Sequence, residues 1–138
     1  MNIYFACSIT GGREDEGVYQ LLVKELLDQG FDVPTAHIAE TGIEALDAAE
    51  DPADIFNRDI RWIKGSDLLV AEVSTPSHGV GFEIGYALAL DKPVLCLHHD
   101  RAAVSKMITG NPHPKLQIFR YRDDQEAVRL LREALSSI

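Results

Sequence analysis

Cysteine is scarce in this sequence, with only Cys7 and Cys96 among 138 residues. The two lie far apart and match no metal-ligand or redox spacing, which excludes a disulfide scaffold and a zinc module. Long hydrophobic runs are missing as well: nothing approaches the roughly 20 apolar residues needed to cross a bilayer. Residues 1–12 have no basic lead-in and only a short apolar run, unlike an export signal. Positive charge is in deficit, 13 Lys and Arg against 22 Asp and Glu, for a net charge of −9. A nonspecific grip on a nucleic-acid polymer or an anionic membrane requires the opposite balance. A small phosphorylated ligand remains admissible, because phosphate can sit on backbone N–H groups at a helix start. Repeats, low-complexity tracts and linkers are absent too. The expectation is a single cytoplasmic domain over residues 1–138, with no metal and no membrane partner.

What is present is a regular alternation of buried runs and helical stripes, with 46% hydrophobic residues to fill a core. Residues 2–7 form an apolar run that ends in Ser8-Ile9-Thr10-Gly11-Gly12, a strand entering a glycine-bearing loop. Val18, Leu21, Leu22 and Leu26 then mark a helix that stops at Gly30. Residues 31–36 read as a weaker strand, placed at a sheet edge by Pro34. The next stretch, to Asp51, shows little periodicity and reads as a long loop with at most a helical turn. Asp51-Pro52 opens a helix, with Asp as cap and Pro at its first position. Ile55, Phe56, Trp62 and Ile63 form the apolar face of that helix.

Residues 67–73 make a near-continuous apolar run, as in a parallel strand covered on both faces. A loop and a helix to about Leu90 follow, then a strand at 94–97. A short helix at 102–108, a strand at 116–121 and a helix at 125–136 complete the chain. Five strands alternating with helices predict an α/β fold: a flavodoxin-like (Rossmann-like) three-layer sandwich with a parallel sheet in order 2-1-3-4-5. In that architecture ligands bind beyond the carboxyl ends of the strands, here between the loops after Cys7 and Val73.

Two carboxylates stand where apolar residues are expected. Asp59 lies at helical spacing from Ile55, Phe56, Trp62 and Ile63; Glu83 lies at helical spacing from Val80, Ala87 and Leu90. Each therefore points toward the sheet or its crevice. One such residue is more simply a buried cap or an arginine partner, with Arg58 and Arg61 at hand. Two of them flanking a glycine-bearing loop point to a functional site. Between them runs Ser77-His78-Gly79-Val80-Gly81-Phe82, where Gly79 and Gly81 allow close backbone approach and Ser77 can cap a helix or donate to an anion. The spacing is not a dinucleotide fingerprint, and no Walker lysine is present.

These residues in order, Tyr4-Phe5-Ala6-Cys7-Ser8-Ile9-Thr10-Gly11-Gly12-Arg13-Glu14-Asp15, Arg58-Asp59-Ile60-Arg61-Trp62 and Ala71-Glu72-Val73-Ser74, resemble the 2′-deoxynucleoside 5′-phosphate N-hydrolases of the nucleoside 2-deoxyribosyltransferase superfamily. The likeness continues through Pro76-Ser77-His78-Gly79-Val80-Gly81-Phe82-Glu83-Ile84-Gly85, Lys92-Pro93-Val94-Leu95-Cys96-Leu97 and Ser105-Lys106-Met107-Ile108. It implies a homodimer that hydrolyses the N-glycosidic bond of a small-molecule deoxynucleotide without any cofactor. In it Glu83 is the nucleophile that forms a covalent sugar intermediate, Asp59 handles the proton, and Tyr4 positions Glu83. It further implies phosphate binding by Ser8, Ser77, the Gly11-Gly12 and Gly79-Gly81 segments, and Ser105 from the partner subunit, with His37 near the nucleotide. Ile9 and Tyr4 are candidates for discriminating against a 2′-hydroxyl. Ser77, where the transferases of the superfamily carry an acid, favours a phosphorylated substrate. Thr10, where the mammalian hydrolases carry an arginine, departs from the pattern, and Arg13 is the candidate replacement.

Three other readings compete: a nucleoside 2-deoxyribosyltransferase, a ribonucleotide N-glycosidase and a non-catalytic nucleotide-binding module. Elsewhere the plainer interpretation is preferred. His98-His99-Asp100 reads as a surface loop, since adjacent strand histidines face opposite ways and cannot chelate together. Trp62 reads as a core or dimer contact, and Asp123-Asp124 as a helix cap.

Overall fold

The computed structural model describes residues 1–138. The elements, in chain order, are β1 (Ile3–Ala6), α1 (Glu16–Asp28), a 3-10 turn (Ala36–Ala39), α2 (Ile43–Ala49), α3 (Pro52–Lys64) and β2 (Leu68–Glu72). After these come α4 (His78–Ala89), β3 (Val94–His99), α5 (Lys106–Thr109), β4 (Leu116–Tyr121) and α6 (Asp124–Ser136). All strand pairs are parallel, with Tyr4 beside Leu69 and Ala71 beside Cys96. Alternation along the strands feeds two cores. Ile3, Phe5, Leu68 and Val70 pack under α1 and α6, while Tyr4, Ala6, Leu69 and Ala71 pack under α4 and Ile63 of α3.

The sheet has four strands in order β1-β2-β3-β4, not five in order 2-1-3-4-5. The strand expected over residues 31–36 shrinks to a single bridge between Asn2 and Asp32, closed by Ile3 N–H on the Asp32 carbonyl at 2.8 Å. Pro34 has no N–H to extend the ladder. Thr35 supplies the missing pairing from its side chain: its hydroxyl accepts from Phe5 N–H at 2.9 Å and donates to the Phe5 carbonyl at 2.8 Å. One buried hydroxyl thus satisfies the outer edge of β1, and the chain is free to turn away.

Other boundaries follow from local chemistry. α1 ends at Gly30 (φ 84°) in a Schellman arrangement, with Phe31 N–H on the Leu26 carbonyl and Gly30 N–H on the Leu27 carbonyl. α3 opens as expected, the Asp51 carboxylate accepting from Ala53 N–H. α2 replaces the predicted loop; its alanine-rich sequence favours helix, yet only Ile43 is buried, so no stripe betrays it. The helix expected at 102–108 is the single turn α5, because the Ser105 hydroxyl caps Met107 N–H and sets the start at Lys106. His98 and His99 belong to the end of β3 instead of a surface loop. The apolar face of α3 is only partly covered: Ile63 is buried, whereas Phe56 is 54% exposed. That uncovered length of helix borders a cavity.

The Thr35 hydroxyl generates a test. Thr35→Val keeps the shape and removes both bonds to Phe5, leaving a buried N–H and carbonyl unpaired. The expected loss is about 1–3 kcal/mol, measured as a lowered denaturant midpoint with an unchanged slope.

Candidate active site

A cavity of about 620 Å³ lies beyond the carboxyl ends of β1 and β2, walled by α2, α3 and the start of α4. Ile9 and Thr10 line it from the first loop, Asp47 and Glu50 from α2 and its end, Asp59 from α3, and Ser77, Gly79 and Glu83 from the α4 side. A smaller recess of about 50 Å³ shares Asp59 and Glu83 with it and adds Tyr4, His37 and Arg58. The two inward carboxylates predicted from helical spacing therefore meet in one crevice.

Each is set by its neighbours. Tyr4, 1% exposed on β1, donates its hydroxyl to Glu83 Oε2. Burial pushes the Glu83 carboxyl up to about 7; the Tyr4 hydrogen bond pulls it down, and the charge of Asp59 adds to the rise. Burial also raises Asp59, opposed by Arg58, whose Nε lies 3.0 Å from Asp59 Oδ1. Arg58 reaches Glu50 at 3.2 Å as well and stacks over Trp62 with its guanidinium carbon 4.9 Å from the ring centroid. Burial, Glu83 and Asp59 hold the Tyr4 phenol far above its ordinary range, so it remains a neutral donor.

The start of α4 faces the cavity through Ser77, His78 and Gly79. Ser77 Oγ accepts from Val80 N–H at 3.3 Å, and the N–H groups of His78 and Gly79 have no partner within the helix. A Cβ on Gly79 would lie 4.0 Å from both Ser77 Oγ and Glu83 Oε1, so a side chain there would stand between cap and carboxylate.

Not every residue named from the sequence reaches the cavity. Ser8 is fully buried, its Oγ without a partner, and lies outside the lining. Gly11 and Gly12 shape the loop beside it: a Cβ on Gly11 would fall 2.3 Å from the Pro76 carbonyl oxygen, and Gly12 has φ 134°. Gly81 is exposed with nothing around it, and Ser105 is exposed at the start of α5. Arg13 is not placed to replace an arginine at position 10, because all three of its guanidinium nitrogens are engaged elsewhere and it lies outside the cavity lining. Its Nε holds Glu16 at 2.9 Å, one terminal nitrogen holds the Ser8 carbonyl at 3.0 Å, and the other holds the Glu40 carbonyl at 3.1 Å. Asp47, Glu50 and Phe82 were invisible as site residues in the sequence, since two sit on the unrecognised α2 wall and the third looks like ordinary helix surface.

Fold and site together define a parallel α/β protein with a paired-carboxylate crevice at its strand ends. Residues 3–133 match the model of the nucleoside 2-deoxyribosyltransferase family, and the chain belongs to that family. It is 40% identical to the 5-hydroxymethyl-dUMP N-hydrolase of Danio rerio, over 100% of this chain and 98% of that protein. With the 5-hydroxymethyl-dUMP N-hydrolase of Mus musculus it shares 38% identity over 95% of this chain and 78% of that one. Its fold matches the structure of a CMP N-glycosidase from Clostridium botulinum with a TM-score of 0.75, covering 97% of this chain and 99% of the other at 20% identity.

The raised Glu83 carboxyl has a consequence for stability. The folded protein keeps it protonated up to about pH 7, while the unfolded chain releases that proton near pH 4.5. Its contribution is present in full below the unfolded value and is lost as pH rises through that window. Glu83→Gln, which cannot ionise, should therefore gain stability relative to the parent between pH 5 and pH 8. On the order of 2 kcal/mol is expected, after discounting for its partial exposure, and thermal unfolding of both proteins at the two pH values measures it.

Proposed function

We propose that this protein is an N-glycosidase that hydrolyses 2′-deoxynucleoside 5′-monophosphates to free base and 2-deoxyribose 5-phosphate. The observation that carries the reading is the meeting of Glu83, with Tyr4 on its carboxylate, and Asp59 in one cavity. Full-length similarity to proteins named as deoxynucleotide N-hydrolases supports the substrate class.

The chemistry uses two carboxyl groups in different roles. Ionised Glu83 attacks C1′ of the sugar; the C1′–N bond breaks and the base leaves with a proton from Asp59. The resulting Glu83–C1′ ester is then attacked by water, whose proton passes to Asp59 carboxylate, and Glu83 is released. The hydrogen bond from Tyr4 aims the carboxylate and stabilises its ionised form. Thr10, Ser77 and the first N–H groups of α4 receive the phosphate. Ser105, exposed and outside the cavity lining of its own chain, would meet the phosphate of a second copy in a homodimer. Ile9 lies in both parts of the crevice and is placed to contact the sugar.

Chromatography of base released from each deoxynucleoside monophosphate and each deoxynucleoside tests the reading. The parent should release base from monophosphates, with Glu83→Ala reduced by about a thousandfold or more. Formation of a new nucleoside only when a second base is supplied would replace hydrolysis by deoxyribosyl transfer. Unchanged turnover in Glu83→Ala would remove the nucleophile assignment. The pH profile gives an independent check. Because Glu83 must be ionised to attack, kcat/KM should fall as pH drops below about 7. Tyr4→Phe removes the donor that holds Glu83 down, so this acid limb should move to higher pH.

A further inference from the structure

One buried carboxylate takes no part in the chemistry above. Glu72 ends β2 fully buried, on the strand face shared by Leu68 and Val70 and thus turned toward α1 and α6, away from the cavity. No Lys or Arg pairs with it. Its Oε1 accepts from the backbone N–H of Ser74 at 2.5 Å, and its Oε2 accepts from the Ser74 hydroxyl at 3.1 Å and the Tyr121 hydroxyl at 2.7 Å. Ser74 Oγ in turn accepts from His99 N–H at 2.9 Å, so the network ties β2 to the ends of both β3 and β4.

The anchoring continues residue by residue along the loop. The Thr75 hydroxyl donates to Asp15 Oδ2 at 2.9 Å, and Asp15 Oδ1 lies 3.3 Å from His99 Nε2. Pro76 has its carbonyl pressed against Gly11, where a Cβ would be 2.3 Å away. Residues 74–76 are thus each held by partners other than the cavity walls. The next residue is Ser77, which caps α4 and lines the cavity.

A carboxylate without a cation is costly to bury, and it is tolerated where several donors converge on it. Here three donors from two residues converge, and the backbone among them belongs to the loop that leads to the α4 start. An amide would keep an acceptor for Ser74 N–H but set an NH2 group against the Ser74 and Tyr121 hydroxyls, which would both have to turn from donor to acceptor.

We propose that Glu72 is a positioning residue for the 5′-phosphate end of the substrate. It clamps the β2–α4 loop so that Ser77 and the first N–H groups of α4 meet the phosphate, while Glu83 is held separately by Tyr4. This rests on the deoxynucleotide reading above. Glu72 touches no substrate; it acts through Ser74 and the loop.

The test compares kcat/KM for the deoxynucleoside 5′-monophosphate that turns over fastest with that for its unphosphorylated nucleoside, in the parent, Glu72→Gln and Tyr121→Phe. The ratio of the two is independent of how much protein is folded, because both substrates meet the same molecules. Glu72→Gln should lower the ratio about tenfold or more, chiefly through KM for the monophosphate, with kcat for the nucleoside held within about twofold. Tyr121→Phe, which removes one of the three donors, should act in the same direction with smaller size and decides the matter if Glu72→Gln does not fold. An unchanged ratio, or an equal fall for both substrates, overturns the positioning role alone. A parent that shows no preference for the monophosphate overturns the substrate reading and this proposal together, and is seen before any variant is made.

Discussion

The hydrogen bond from the Tyr4 hydroxyl to Glu83 joins the first strand to the fourth helix, and the crevice is organised around it. Burial there raises the proton affinity of a carboxyl, and the Tyr4 hydroxyl is the donor that opposes the rise. Tyr4 does so without bringing in a charge, since its own ionisation is suppressed by the same burial and by the two carboxylates beside it. The cation of the site is kept one step away. Arg58 pairs with Asp59 and Glu50, not with Glu83, so Glu83 responds to a neutral donor and a neighbouring carboxylate. Both carboxyls are thereby raised by burial but opposed by different partners, Glu83 by a neutral phenol and Asp59 by a guanidinium.

Holding Tyr4 in place is the task of the sheet, and the sheet solves an edge problem in doing so. β1 has β2 on one side and only the Asp32 bridge and the Thr35 hydroxyl on the other. Ending the pairing there lets the chain turn at Pro34 into the 3-10 turn that carries His37 and then into α2. These segments close the crevice on the side opposite α4, contributing His37, Asp47 and Glu50. Arg13 fastens the same region to the first loop by bonding the carbonyls of Ser8 and Glu40. Its charge thus serves the wall of the crevice and is not offered to a ligand.

Much of this was legible in the residues. The spacing of Asp59 among Ile55, Phe56, Trp62 and Ile63, and of Glu83 among Val80, Ala87 and Leu90, pointed both carboxylates inward, and they share a cavity. Asp51, Ser77 and Asp123 cap the helices they precede. The misreadings occurred where periodicity is weak or a side chain does the work of a backbone. α2 buries one residue and so leaves no stripe, and the 31–36 segment has strand-like composition but loses its ladder to Pro34 and a threonine hydroxyl.

By itself the sequence determined the alternation of strand and helix and the inward direction of its two carboxylates. These depend on spacing within one element, which the 3.6- and 2-residue periods encode locally. Only the tertiary structure decided which donor reaches which acid, that Arg13 is spent and Arg58 is shared, that four strands suffice, and that α2 walls the cavity. Those outcomes turn on which side chains, tens of residues apart, arrive within about 3 Å of each other. No local period carries that information; the packing of the two cores against one sheet supplies it.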